Sequence, residues 1–259
     1  MLSDPTVPLT DDAFLGGRLN MLQPRDGYRA GLDAVLLAAT VRVDGANDVV
    51  RVVDAGAGVG VVGLCVAARC PNARVMLVER EAALVDIARQ NVVRNGLSDR
   101  VEVVAGDVTG RLSAFDTTAV GREAATHVLA NPPFTSTGHG SASPNVLKAA
   151  AHQMSDQDLD RWARFCAHAA APGGIVSLIH RADALRGVLE AMSGRFGALC
   201  VLPIHPRLGE PANRIIISGI KGSRAPLTIR PGLILHGPDG KAFRPEIEAI
   251  LRDGAALEP

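Results

Sequence analysis

Asn131, Pro132, Pro133 and Phe134 close the apolar run Thr126-His127-Val128-Leu129-Ala130, which reads as a buried strand. The tetrapeptide therefore stands where a strand ends and a loop begins. Proline has no N–H and fixes φ, so the turn is stiff and its carbonyls point in set directions. Such a turn presents an amide oxygen and a proline carbonyl to the two N–H groups of one planar amine, while the phenyl ring lies flat on the ring bearing that amine. An aromatic amino group is a poor nucleophile because its lone pair is delocalised. Two acceptors at roughly 2.7–3.2 Å hold its protons, aim the lone pair and stabilise the charge that develops on nitrogen. No strong general base is required, and most of the rate gain comes from in-line positioning. The chemistry that suits these residues is methyl transfer to an exocyclic nitrogen. Asn131 supplies its side-chain oxygen, Pro132 its carbonyl, Pro133 the rigidity and Phe134 the stacking face.

A methyl donor needs its own site. Residues 49–54 read as a short buried strand ending in Asp54, followed by Ala55-Gly56-Ala57-Gly58-Val59-Gly60 and an apolar helical stretch from Val61. Strand, glycine turn and helix open a nucleotide-binding βαβ unit, and Gly56, Gly58 and Gly60 let backbone approach a ligand. Val61 occupies the place where a dinucleotide pattern has its third glycine. Asp54 suits an amino-acid ammonium, which favours S-adenosylmethionine, a donor with an ammonium and no pyrophosphate. Glu79 ends the next strand, nineteen residues after Gly60, with Arg80 beside it. A carboxylate there accepts both ribose hydroxyls, a device that NAD sites share. Gly106-Asp107-Val108 follows the third strand, where an acid can accept from the adenine amino group of the cofactor. For Glu79 and Asp107 the alternative is an ordinary solvated acid at a strand end.

With these pieces in place, the chain resembles the class I S-adenosylmethionine-dependent methyltransferases of the small-domain group, and within it the bacterial tRNA(Val) adenine-N6 methyltransferases. The tetrapeptide is similar to the catalytic motif of the adenine-N6, guanine-N2 and glutamine-N5 members. Gly16-Gly17-Arg18-Leu19 and the segment from Gln23 through Gly27-Tyr28-Arg29-Ala30-Gly31-Leu32-Asp33 to Ala38 resemble the N-terminal region of that family. The resemblance implies that this segment lines the amino-acid end of the cofactor, with Gln23, Tyr28, Arg29 and Asp33 as site residues. Lys148-Ala149-Ala150-Ala151-His152 resembles the helix after the catalytic loop. Residues 203–207 and 212–217 resemble the last two strands. The likeness runs from about Asp12 to Lys221. The tetrapeptide alone does not separate the substrate classes.

The elements that must position these residues alternate. Strands fall near 49–54, 74–79, 101–105, 126–131, 174–180, 198–204 and 214–220, and helices near 33–41, 60–69, 82–95, 155–170 and 182–193. That spacing implies a Rossmann-like α/β fold: a seven-stranded, mostly parallel sheet with helices on both faces. No helical pattern lies between the last two strands, so they form an antiparallel pair. With 259 residues and 47% hydrophobic content the chain reads as one domain, with an N-terminal cofactor-lining segment (12–41) and a C-terminal extension (222–259). In that extension, 227–229 and 233–235 read as a hairpin about Pro231-Gly232, with a short helix near 244–252. Trp162 and Phe165 read as core.

The acidic, polar N-terminus is not a signal peptide, no apolar run has the length of a membrane span, and Cys65, Cys70, Cys166 and Cys200 lack metal spacing. A cytoplasmic protein with reduced cysteines and no metal is expected. Net charge is zero, but residues 181–230 hold eight basic and three acidic residues. Arg181, Arg186, Arg195, Arg207, Arg214, Lys221, Arg224 and Arg230 form either a phosphate-facing patch for tRNA or a scattered solvated surface. The polar stretch 135–145 is either a loop closing over the substrate base or a plain surface loop. The leading functional expectation is adenine-N6 methylation of tRNA. The competitors are guanine-N2 of ribosomal RNA, glutamine-N5 of a protein, and, in a different class, a nucleotide-binding protein without catalysis or an NAD enzyme.

Overall fold

A computed structural model describes residues 8–27, 29–43, 49–133, 156–237, 239–240 and 242–257. Phe134, Tyr28, the stretch 135–145 and Lys148 to His152 lie outside them.

The chain opens with a hairpin, β1 (Leu9–Phe14) and β2 (Leu19–Pro24), turned at Leu15–Gly17. Helix α1 (Leu32–Ala38) follows, then β3 (Arg51–Ala55), α2 (Val61–Arg69), β4 (Arg74–Glu79), α3 (Ala82–Arg94), β5 (Val101–Ala105) and β6 (Ala125–Ala130). The second half holds α4 (Asp156–Ala169), β7 (Ala170–Arg181), α5 (Leu185–Met192), β8 (Phe196–His205), β9 (Arg214–Lys221), and the two-residue strands β10 (Thr228–Ile229) and β11 (Leu233–Ile234). Helix α6 (Pro245–Glu248) runs into a π-turn at Ala249–Asp253.

The central strands are runs of Val, Leu, Met and Ala buried on both faces, as parallel strands between two helical layers must be. The main sheet has the order β10-β8-β9-β7-β6-β3-β4-β5, with β11 beside β8. Strands β3 to β7 pair in parallel, and β9 is inserted antiparallel between β7 and β8. The expected antiparallel final pair is therefore present. One core lies under α1, α2, α3 and the N-terminal hairpin. A second lies under α4 and α5 on the other face. Helix α3 shows how the sequence chooses its face: Val85, Ala88 and Val92 are buried at helical spacing, and Asn91 beside them is fully buried.

The expected 227–235 hairpin does not form. Thr228 and Ile229 pair with Cys200 and Val201, and Leu233 and Ile234 pair with Ile204 and His205, both parallel to β8. The Arg230 N–H continues the ladder to the Val201 carbonyl at 2.9 Å. Satisfying the open edge of β8 fixes backbone groups that a two-residue hairpin would leave largely unpaired. Among the described residues no helix is long and apolar enough to cross a membrane.

Candidate active site

The register brings the candidate residues to one edge. Ala55 of β3 pairs with Val78 of β4 on one side and Ala130 of β6 on the other, and Glu79 pairs with Ala105 of β5. The residues immediately after these positions are Gly56, Arg80, Gly106 and Asn131. The candidate donor turn, both candidate acids and the Asn131-Pro132-Pro133 turn thus leave the sheet side by side, across three strand spacings of about 4.8 Å each.

Gly56, Gly58 and Gly60 all take positive φ (63°, 58° and 92°), a region that side chains strain to enter. The turn closes through Ala57 N–H to the Val78 carbonyl (2.8 Å) and Gly60 N–H to the Ala57 carbonyl (2.8 Å). A Cβ at Gly56 would collide with the indole of Trp162, whereas one at Gly58 would meet nothing within 4 Å. The turn is thus packed on one side and clear at Gly58. Trp162 (6% exposed) and Phe165 are core residues, and Phe165 meets Phe115 edge-on at 5.0 Å.

Glu79, 7% exposed, is fixed by backbone donors. Its Oε2 accepts from Gly58 N–H (2.8 Å), and its Oε1 accepts from Arg80 N–H (2.8 Å) and Glu81 N–H (2.9 Å). Each carboxylate oxygen has more than one lone pair, so Glu79 can still accept from ribose hydroxyls in a fixed direction. Asp54, 1% exposed, accepts the Gly63 N–H at the start of α2 (2.9 Å). Burial pushes its carboxyl up to about 7, the Gly63 bond opposes this, and the Glu79 charge adds to it. A buried acid of that kind gains from a cation nearby, which is what an ammonium provides. Asp107 is exposed, accepts from Thr109 N–H (2.8 Å) and Thr109 Oγ1 (2.7 Å), and precedes buried Val108. Arg80 is exposed and pairs with Glu81 at 3.1 Å.

The N-terminal candidates form a second group. Gln23 is 2% exposed. It accepts Ala30 N–H (2.9 Å) and donates to the Ala30 carbonyl (3.3 Å) and to Asp12 (2.9 Å). Arg29 also binds Asp12, and Asp33 binds Arg214 at 3.0 Å. Sequence reasoning missed three residues that order this edge: Asp12, Arg214 and Asn91. Asn91 accepts Leu22 N–H (2.8 Å) and donates to the Leu22 and Val59 carbonyls (3.0 Å each), tying β2 to the glycine turn. Nothing in local sequence marks these roles, because the contacts that tie Asp12 to Gln23, Asn91 to Leu22 and Arg214 to Asp33 span 11 to 181 residues.

The eight basic residues do not all lie at one end of the sheet. Arg214 pairs with Ile204 at the edge carrying Asn131, while Lys221 pairs with Phe196 at the opposite end of the sheet. Six of them hold acids: Arg181 with Asp183, Arg186 with Glu190, Arg195 with Asp160, Arg207 with Glu210, Arg214 with Asp33 and Lys221 with Glu123. Cys65, Cys70 and Cys166 are buried free thiols, and burial pushes Cys65 and Cys166 up to about 12.

A doubly wound sheet with a glycine turn, two buried strand-end acids and an Asn-Pro-Pro turn on one edge forms a candidate nucleoside site. Comparison with known proteins gives the family. The family model described as "Methyltransferase small domain" matches residues 33–157. A solved structure described as a predicted O-methyltransferase, protein Atu636 from Agrobacterium tumefaciens, is 35% identical. It superposes with a TM-score of 0.72 over 87% of this chain and 98% of that one. A tRNA1(Val) (adenine(37)-N6)-methyltransferase of Phocaeicola vulgatus is 29% identical over 198 residues, 75% of this chain and 77% of its own. One of the same name from Aeromonas hydrophila is 26% identical over 220 residues, 83% and 86% of the two chains. The chain belongs to the small-domain family of S-adenosylmethionine-dependent methyltransferases.

Proposed function

We propose that the chain methylates N6 of an adenine in tRNA. The observation that carries this reading is the register of β3 and β6, which sets the Asn131-Pro132 turn directly beside the glycine turn that begins at Gly56. A donor held on the glycine turn would lie on the same edge as an acceptor held by the Asn-Pro-Pro turn. Asn131 Oδ1 and the Pro132 carbonyl accept from the two N–H groups of the exocyclic amine and turn its lone pair toward the donor. Phe134, outside the described residues, is the aromatic that this reading assigns to stacking on the base, a type of contact worth about 1–3 kcal/mol. Glu79 would hold the donor's ribose, Asp107 with Val108 its adenine and Asp54 its ammonium, and Gly56, Gly58 and Gly60 would admit it to the backbone. When bound, S-adenosylmethionine supplies an electrophilic methyl on a sulfonium. The Asn131 and Pro132 oxygens stabilise the charge passing to nitrogen, and the new ammonium loses its proton to water. The adenine must leave its stack to reach this corner, so the acceptor is an accessible base in a loop or a flipped one.

The relative from Agrobacterium tumefaciens carries an O-methyltransferase description, whereas the relatives from Phocaeicola vulgatus and Aeromonas hydrophila carry adenine-N6 names. Two acceptors side by side favour an amine with two protons over a hydroxyl with one. The test is label transfer from S-adenosylmethionine to total tRNA from cells lacking the gene, followed by nucleoside analysis. N6-methyladenosine is expected. Label in 2-N-methylguanosine, in a methylated hydroxyl or only in protein overturns the assignment.

A further inference from the structure

The two halves of the main sheet end at different heights. Strands β3 and β6 stop at Ala55 and Ala130, level with Val78 of β4 and Leu178 of β7. Strand β7 runs three residues further, to Arg181, which pairs with Arg214 of β9, and Arg214 pairs in turn with Ile204 of β8. Leu233 of β11 lies beside Ile204. Strands β7, β9, β8 and β11 therefore make a wall that rises about 10 Å above the end of β6, at 3.3–3.4 Å per residue. The connection from β8 to β9, residues 206–213, crowns this wall, and β8 lies three strand spacings from β6, about 14 Å across the sheet.

That connection is built to hold its shape. Glu210 N–H donates to the Arg207 carbonyl (3.2 Å), and Gly209 has a φ of 81°, as the third residue of a type II turn requires. Leu208 is the corner residue before it. The Arg207 and Glu210 side chains pair at 3.2 Å, His205 Nδ1 donates to the Glu210 carbonyl at 2.8 Å, and the Pro206 carbonyl accepts from His236 N–H at 3.0 Å. Asn213 N–H closes the base of the loop on the Ile204 carbonyl (3.1 Å). At 82%, Leu208 is the most exposed large hydrophobic side chain among the described residues. A lone exposed leucine on a surface is ordinary. This one stands on a braced corner above the Asn131 turn, and it packs on nothing that would explain the bracing.

We propose that Leu208 is a wedge that enters the RNA stack from which the target adenine is turned out. The inference rests on the adenine reading given above and adds how the base is delivered. An adenine in a stacked loop cannot reach Asn131 without leaving its neighbours, and opening the stack is costly. An apolar side chain pushed between bases replaces part of the lost contact. The charges of the rim point the same way. Arg181, Arg207 and Arg214 stand on the wall, but they hold Asp183, Glu210 and Asp33. Cations already matched by acids grip phosphates weakly, so apolar contact carries more of the hold on an opened loop.

The test compares two acceptors with the full chain. One is tRNA from cells lacking the gene. The other is a stem–loop copied from the labelled position, with both bases that flank the target adenine replaced by abasic residues, so that no stack has to be opened. Leu208→Ala is expected to lower kcat/KM on tRNA about 10- to 50-fold, and on the abasic stem–loop by less than about 3-fold. Leu208→Met should recover most of the activity on tRNA. Binding of S-adenosylhomocysteine should stay within about 2-fold in both variants, because the corner is distant from the donor turn. A stem–loop with normal flanks and 2-aminopurine in place of the target adenine should brighten severalfold on binding the wild type with S-adenosylhomocysteine, and should brighten little with Leu208→Ala. Normal methylation of tRNA by Leu208→Ala, equal losses on both acceptors or an undiminished 2-aminopurine signal overturns the wedge. Wild-type protein that places no methyl on adenine in tRNA would instead refute the acceptor reading, and the wedge falls with it.

Discussion

Asp33 at the start of α1 and Arg214 at the start of β9 meet at 3.0 Å across 181 residues of chain. Strand β9 runs antiparallel, so its first residue, not its last, reaches the ligand edge, and there it holds the start of α1. Both side chains keep some exposure, 20% for Asp33 and 30% for Arg214, so the pair contributes modestly to stability. A double-mutant cycle of Asp33→Asn and Arg214→Ala in urea should give a coupling of about 0.5–1 kcal/mol. Arg214→Ala should also raise the KM for the donor severalfold with kcat held within about 2-fold. A fall in kcat at an unchanged KM would place Arg214 in the reaction itself.

On the proposed function, Asn131→Ala removes one of the two acceptors for the amine. By analogy with loss of one oxyanion-hole group, turnover should fall about 10²–10³-fold. Binding of S-adenosylhomocysteine should stay within about 2-fold, because Asn131 leaves β6 beside the donor turn and is not part of it. Equal losses in both, measured by single-turnover methylation and calorimetry, would make Asn131 structural.

Gly56 and Gly58 should respond differently to alanine although their φ angles nearly match, at 63° and 58°. Gly58→Ala pays only the left-handed backbone cost, about 1–2 kcal/mol, because its Cβ enters clear space. That space faces the ligand edge, so donor affinity should drop more than stability does. Gly56→Ala adds a collision with Trp162 in the core and should cost about 3 kcal/mol or more. Chemical unfolding with parallel ligand titration checks the order, and a reversed order would mean the turn packs otherwise.

Asp54 makes the ligand-free protein sensitive to pH. Its carboxyl is raised from 3.8 to about 7, first by burial, so between these values the folded chain keeps a proton that the unfolded chain has released. Stability from this group is therefore complete below about pH 4 and is lost as pH rises toward and through 7. Asp54→Asn keeps an oxygen for the Gly63 N–H and does not titrate. Its stability relative to wild type should grow by about 2–3 kcal/mol between pH 5 and pH 8. A constant difference over that range, followed by thermal melts, would show that Asp54 ionises as an ordinary surface acid does.

The parallel core was legible because strands buried on both faces are written as unbroken apolar runs, such as Val75-Met76-Leu77-Val78, and because glycine cannot be replaced cheaply at the turn after β3. The strand-end acids followed from order along the chain. The hairpin partner β1 was not read, since Leu9-Thr10-Asp11-Asp12 looks solvated and Asp12 finds its partners only after folding. The basic residues of 181–230 showed their charge in sequence but not their acids, which sit as far away as Asp33 and Glu123. The tail misled because an edge strand's unmet backbone groups are invisible until the sheet is built.

The C-terminal turn grips the beginning of the chain. Arg18 donates to the Asp253 carbonyl (2.8 Å), Arg69 to those of Gly254 and Ala38 (2.7 Å each), and Leu257 N–H to the Ala39 carbonyl (2.9 Å). Severing this turn would leave every group assigned to the reaction in the chain and still remove the brace behind α1 and the first hairpin.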